Sequence, residues 1–94
     1  MKARVEIWPG ETANWHLLYL PKKEAGILRQ KYKGKERGWS SLPVEVNIGK
    51  TNWRTSIFFD KRSQSYILPL KAEVRRKETL MHGDMVKFSI TIRL

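Results

Sequence analysis

The sequence predicts a mainly β fold, a small closed or partly open β-barrel of about six strands with two short helices. Most apolar segments alternate with a period of two, which is typical of half-buried strands. The segments between them have the length of hairpin turns. With 94 residues the chain fits a single domain, residues 1–94. An open six-stranded sheet would leave two exposed edges, and a barrel removes them.

Two strands and a helix are predicted in the first third of the chain. Residues 1–8 alternate, with Ala3, Val5 and Ile7 on one face, and a turn follows at Pro9-Gly10. Residues 14–20 form the second strand, with odd positions on one face and even positions on the other. The apolar spacing then lengthens, which predicts an amphipathic helix over residues 22–33.

Four strands and a second helix are predicted in the remainder. Strands cover residues 42–48, 53–59 and 66–68, with hairpin loops at 49–52 and 60–64. A helix follows over residues 70–78, packed through side chains four residues apart. We expect Gly83 to take a positive φ in the next turn, and Asp84 to accept hydrogen bonds from nearby backbone amides. Residues 86–94 form the last strand.

The composition excludes several classes of site. The absence of cysteine excludes disulfides, thiolate metal sites and a cysteine nucleophile, and two histidines make a zinc site a poor fit. No apolar run approaches the roughly 18–20 residues that span a bilayer, and the N-terminus has no apolar signal region. We therefore expect a cytoplasmic protein with no metal and no cofactor.

The positive charge is concentrated in two segments. Of the net charge of +10, residues 21–38 carry +5 and residues 61–79 carry +4. If both segments share one side of the fold, their field attracts nucleic acid or an acidic protein; the alternative is a solvated surface that aids solubility. The candidate polyanion contacts are Lys31, Lys33, Lys35, Arg37, Lys61, Arg62, Arg75, Arg76 and Lys77.

Aromatic residues allow two interpretations. Trp8, Trp39 and Trp53 lie near strand ends or connectors and close in sequence to basic residues. Such side chains can form a platform on which bases stack beside a phosphate track. The alternative is that they fill the ends of a small barrel core.

A second hypothesis is a barrel that binds a small molecule or a peptide, with a pocket lined by Trp15, Trp53, Tyr66 and Arg75. Arg75 is expected either to pair with a carboxylate such as Asp84 or to face this pocket. A homodimer is also plausible, because several strands have apolar residues on their second face.

No catalytic residues are predicted. The serines lack the context of a nucleophile elbow, and the glycines are too scattered for a phosphate-binding loop. His82 and Asp84, two residues apart, form the pair that an enzyme hypothesis would test first. We therefore expect a binding protein rather than an enzyme.

Four motifs, in this order, resemble one bacterial family. They are WHLLYLP at residues 15–21, VEVNIG at 44–49, YILPLKAEVR at 66–75 and HGDMVKF at 82–88. The chain resembles the family known as Domain of Unknown Function 1905 over roughly Ala3 to Leu94. The resemblance implies a double-split β-barrel, a class that also contains dimeric DNA-binding regulators. It implies no catalytic residues.

The chain departs from the family pattern at one hairpin. The family usually has an acidic Gly-Asp-Gly turn before the Tyr-x-Leu-Pro strand. Here the corresponding residues 60–65 read DKRSQS, which makes the tip of the hairpin basic. This change favours a polyanionic partner.

Overall fold

A computed structural model describes residues 1–9 and 14–94. Gly10 of the turn predicted at Pro9-Gly10 lies outside the described residues. The elements in chain order are β1 (Lys2–Arg4), β2 (Glu6–Trp8), β3 (Trp15–Tyr19), α1 (Lys22–Tyr32), a 3₁₀ turn (Gly38–Ser40), β4 (Ser41–Ile48), β5 (Thr51–Asp60), β6 (Ser65–Pro69), α2 (Ala72–Glu78), β7 (Met85–Lys87) and β8 (Ser89–Ile92).

The described strands form two antiparallel sheets. Six strands pair in the order β2-β3-β6-β5-β4-β8, and β1 pairs with β7. The mainly β class with two helices is therefore confirmed. The sheets are open rather than one closed cylinder, so the predicted barrel closure is not confirmed.

Two predicted strands are each divided by one residue. Val5 separates β1 from β2, and Phe88 separates β7 from β8. The backbone N–H of Val5 donates to the carbonyl of Asp84, and its own carbonyl accepts from Gly83. The two halves of each divided strand pair with different neighbours. The first half (β1 or β7) belongs to the small sheet, and the second half (β2 or β8) belongs to the large one. The alternating pattern continues through both breaks, so it did not reveal them.

The inner face of the large sheet forms the core. The alternation predicted along β4 is confirmed, with Leu42, Val44 and Val46 almost fully buried. Ile57 of β5 and Leu68 of β6 lie on the same side of this sheet and are also buried in the core. Burying one such side chain contributes about 1.5–3 kcal/mol. The loop predicted at 49–52 is shorter, because β5 already begins at Thr51.

Hydrogen bonds among Arg29, Glu36 and Tyr66 connect α1 and the segment after it to β6. The hydroxyl of Tyr66, which is fully buried, donates to Glu36 Oε2 at 2.6 Å. Arg29 donates to the other oxygen of Glu36 at 2.5 Å, and its guanidinium lies 4.0 Å from the ring centre of Phe59. Burial and the Glu36 carboxylate both raise the pKa of Tyr66.

The second helix, α2, is held at the other end of β6. The N–H of Leu70 donates to the carbonyl of His16, and Val74 is buried in the core. At the far end of α2, Thr51 Oγ1 donates to Glu78 Oε2 at 2.7 Å. The left-handed backbone of Thr79, with φ 54°, ends the helix.

We predict that Gly49→Ala lowers the free energy of unfolding by about 1–3 kcal/mol. Gly49 has φ +56°, and an added Cβ would collide with the Glu78 carboxylate, which must then leave Thr51. Gly26→Ala is the matched control, because an added Cβ in α1 meets nothing within 4 Å. That change should raise stability by up to about 1 kcal/mol. Urea unfolding of both variants measures the difference, and equal effects would contradict the prediction.

Candidate functional site

A cleft exists because two paired strands differ in length. β5 has 10 residues and β6 has 5. Their register joins Phe58 to Ile67 and Asp60 to Ser65, so the first half of β5 has no partner on β6. Pro69 ends β6, since proline has no N–H to continue a ladder. The chain then turns into α2, which leaves an opening between α2 and the start of β5.

This opening, which we call the α2 cleft, has a volume of about 300 Å³. Its lining combines positive charge with flat aromatic surface, and none of the described lining residues is acidic. The lining residues are Asn14, Trp15, His16, Trp53, Arg54, Thr55, Pro69, Leu70, Lys71, Ala72 and Arg75.

Arg75 and His16 meet at the inner end of the cleft. Arg75 Nε donates to the carbonyl of Leu70 at 3.2 Å, which fixes the guanidinium against the main chain. Arg75 Nη1 then lies 3.5 Å from His16 Nε2. The other ring nitrogen, Nδ1, is buried and has no hydrogen-bond partner among the described residues. A buried polar atom of this kind costs free energy unless a ligand or water satisfies it.

The surroundings of His16 oppose its protonation. Burial is the largest effect that lowers its pKa below 6.5, and electrostatic effects of Arg75 and then of His82 add to it. An interaction with the backbone of Asn14 acts in the opposite direction. The positive charge of the cleft comes from its two arginines and its lysine.

The cleft contains most of the predicted pocket. Trp15, Trp53 and Arg75 line it, whereas Tyr66 does not. Tyr66 also points to the inner face, but it lies nearer the other end of β6, where its hydroxyl is bonded to Glu36.

Arg75 lines the cleft and is not paired with Asp84, and its role in binding stays a prediction. Among the described residues it forms no ion pair, and the carboxylate of Asp84 instead accepts from the N–H of Met81 at 2.8 Å. Gly83 has φ +91°, so the predictions for this turn are confirmed. Arg54 and Lys71 also line the cleft and were not singled out from the sequence, because neither belongs to a run of basic residues.

The predicted polyanion contacts lie in two groups. Lys61 and Arg62 are in the hairpin before Ser65, and the residues 31–37 lie at the end of α1 and in the connector that is bonded to Tyr66. Residues 75–77 are in α2, after Pro69. Residues 31–37 and 61–62 therefore lie toward the Ser65 end of β6, and residues 75–77 follow its Pro69 end. Their role in binding remains a prediction.

The outer face of the large sheet has a continuous aromatic area. We define the outer aromatic face as Trp8, Trp15, Tyr19, Phe58 and Ile67. Pairing places Trp8 opposite Trp15, and Ile67 opposite both Tyr19 and Phe58, so all five lie on the same side. A depression of about 280 Å³ lies among them. Trp15 belongs both to this face and to the α2 cleft.

The tryptophans differ in exposure, so one fits the prediction of core packing and two fit the prediction of an exposed stacking surface. Trp53 is 9% exposed and packs in the core, as the alternative predicted, whereas Trp8 is 41% exposed. Trp39 is 91% exposed and lies beside the outer aromatic face. Its backbone and that of Ser40 are left-handed, with φ 63° and 52°. Such a conformation costs of order 1 kcal/mol or more for a residue with a side chain.

Other chemistry finds little support within residues 1–9 and 14–94. His82 and Asp84 are not hydrogen-bonded to each other there. The same residues contain no group of three His, Cys, Asp or Glu side chains arranged for a metal ion. No helix in this part of the chain has the length and hydrophobicity needed to cross a bilayer.

Comparison with known proteins identifies one family. The sequence pattern of a family described as a domain of unknown function (DUF1905) matches residues 2–90, which confirms the resemblance inferred from the motifs. Comparison with curated proteins and with solved structures gave no match.

We predict that the free energy of unfolding falls as the pH drops below about 6.5. Because the folded chain depresses the pKa of His16, the unfolded state binds the proton more readily in this range. NMR titration of the His16 ring should give a pKa below 6.5, and Arg75→Gln should raise it. His16→Gln should reduce the pH dependence of unfolding. A His16 pKa at or above 6.5, unchanged by Arg75→Gln, would contradict this account.

Proposed function

Because the chain belongs to the DUF1905 family, a domain of unknown function, we propose a function from the geometry of the site. The chain is a non-catalytic binding module for an organic anion, and the α2 cleft is the binding site. The observation that carries this proposal is the lining of the cleft. Arg54, Lys71 and Arg75 contribute positive charge there, and no described carboxylate lines it to neutralise them.

The charge available to a ligand is only slightly reduced by neighbours. Arg54 lies 3.6 Å from Glu45, but both side chains are well exposed, and such surface pairs are weak. Arg75 forms no ion pair among the described residues. Its guanidinium has further donors beyond the one used by Leu70, and these match the geometry of a phosphate or a carboxylate.

The aromatic walls indicate what the anion is attached to. Trp15 and Trp53 supply flat apolar surface beside the cations. A volume of about 300 Å³ is at the lower end of the range for small-molecule sites. A ligand with one anionic group and one planar ring, of the size of a mononucleotide or smaller, fits both features.

The proposal of binding without catalysis rests on the surroundings of His16. General acid–base chemistry by histidine usually needs a carboxylate or a second polar group to orient the ring. The residues whose electrostatic effects act on His16 are Arg75 and His82, and both oppose its protonation. The site therefore favours holding an anion over transferring a proton.

A polyanion is the second candidate ligand. Of the nine basic residues predicted as polyanion contacts, Lys77 is the one that forms an ion pair among the described residues, with Glu73 at 3.1 Å. The others keep their charge available at the two ends of β6. This arrangement supports a nucleic acid or an acidic protein as the partner, provided that the partner spans both ends.

We predict that adenosine monophosphate binds the α2 cleft with a millimolar dissociation constant and that Arg75→Gln weakens binding about tenfold. Tryptophan fluorescence can follow the titration, because Trp15 and Trp53 line the site. Arg76→Gln is the matched control: it removes the same charge from the same helix, and Arg76 does not line the cleft.

Equal weakening by Arg75→Gln and Arg76→Gln would show that only the general charge of the protein matters. That result, or the absence of binding by both adenosine monophosphate and inorganic phosphate at low salt, would contradict the proposed site.

A further inference from the structure

We propose that the outer aromatic face binds an unpaired nucleic-acid strand. Its bases stack on the exposed tryptophans, and its phosphates reach cations at both ends of the face. This inference rests on the proposed function in one respect, because the α2 cleft holds a phosphate at one end. It adds the class of partner and a second, larger contact surface.

Cations lie at both ends of the outer aromatic face. Along β5, Arg54 and Phe58 share the outer side, because they are separated by an even number of residues. Arg54 is at the end near the α2 cleft. At the other end, Arg62 lines a depression together with Trp8 and Tyr19. From Arg54 to the end of β5 at Asp60 the distance is about 20 Å.

Two cations separated in this way suit an extended ligand. A compact anion can contact Arg54 or Arg62 but not both, since about 20 Å of β5 lies between them. A flexible strand that crosses the outer aromatic face can contact both cations. The arrangement therefore fits an extended polyanion.

The side chains between the cations suit bases rather than phosphates. Trp15 is 63% exposed and Trp39 is 91% exposed, which leaves broad ring surface free for stacking. The left-handed backbone at Trp39 holds this indole away from the core and beside the face. Stacking on such rings tolerates any base, because every base has a flat π surface.

The acidic residues of the face are consistent with this division. Glu6 lies opposite Leu17 on the same outer side. Asp60 accepts hydrogen bonds from the N–H and the hydroxyl of Ser63, so it is engaged in the hairpin. Glu6 disfavours phosphates near Leu17, whereas Asp60 lines the same depression as Arg62 and offsets part of its charge. The phosphates are therefore expected at Arg54 and Arg62 rather than beside Glu6.

Charge also favours nucleic acid over a second copy of the chain on this face. Each copy carries a net charge of +10, so two copies repel each other at moderate salt. A nucleic-acid strand instead neutralises the charge and releases counterions. A duplex fits less well than a single strand, because paired bases do not offer their flat surfaces to the tryptophans.

The test is fluorescence anisotropy with labelled oligothymidylate and oligouridylate of about 12 nucleotides, a length within the range that one small β domain can occupy. A duplex of the same length and inorganic polyphosphate serve as comparisons, all at about 100–150 mM salt. We expect both single strands to bind at least about tenfold more tightly than the duplex, and polyphosphate to compete poorly.

The double variant Trp8→Ala, Trp39→Ala should weaken single-strand binding about tenfold or more. Ile27→Ala is the matched control, because Ile27 is also an exposed apolar residue, 56% exposed, but lies on α1. Trp39→Ala alone, which removes a side chain that is 91% exposed, should weaken binding severalfold and keeps the test valid if the double variant does not fold. Binding of adenosine monophosphate should be unchanged, since neither Trp8 nor Trp39 lines the α2 cleft.

Three results would overturn the inference: equal affinity for single strands and duplex, no effect of the tryptophan changes, or self-association through this face with no oligonucleotide binding. If adenosine monophosphate binds and Arg75→Gln weakens it, any of these results leaves the proposed function standing. If oligonucleotides bind in a tryptophan-dependent manner while Arg75→Gln has no effect on either ligand, the cleft proposal fails instead.

Discussion

The early end of β6 at Pro69 is the constraint on which the candidate site depends. Proline cannot donate to the next rung of the ladder, so β6 stops, and the first half of β5 pairs with β4 on one side but has no partner on β6 on the other. Leu70 turns the chain inward and bonds to the carbonyl of His16, which starts α2 across the open end. The carbonyl of Leu70 in turn accepts a hydrogen bond from Arg75 Nε, which holds this arginine in place. One proline thus creates the opening and positions its arginine.

The cleft places positive charges together without described counterions in its lining. This arrangement is unfavourable in isolation, and the lowered pKa of His16 shows the effect, because burial and the nearby positive charges disfavour a further proton. A bound anion would relieve the repulsion among these positive charges. Functional sites often retain such unfavourable local features, whereas structural ion pairs are usually complete. The Glu36 cluster at the other end of β6 is an example of the complete kind, since both carboxylate oxygens are occupied.

The alternation of apolar and polar residues predicted most of the strands and which of their residues face the core. It did not predict features that depend on pairing with distant parts of the chain. Alternation identified the inner face of β4, and one of the two interpretations of the tryptophans placed Trp53 in the core. It could not show that Val5 and Phe88 divide strands, because each break reflects a change of pairing partner rather than a change of period. The open sheets likewise follow from pairing between distant strands.

The lining of the α2 cleft was predicted only in part, because it too depends on distant parts of the chain. Trp15, Trp53 and Arg75 were identified by residue type, and the family motif around residues 66–75 drew attention to Arg75. Tyr66 was predicted in the same pocket, but it lies nearer the other end of β6, where its hydroxyl donates to Glu36. Arg54 was not predicted as a site residue. It lies close to α2 only because β6 is shorter than β5, and the sequence pattern does not show this difference in length.

The most direct test of the anion site is a two-dimensional NMR titration with adenosine monophosphate that follows the four tryptophan indole N–H signals and the ring of His16. The account predicts that Trp15, Trp53 and His16 shift together along one binding curve, while Trp8 and Trp39, which do not line the cleft, stay in place. Shifts confined to Trp8 and Trp39, with His16 and Trp53 unmoved, would contradict the assignment of the α2 cleft as the anion-binding site.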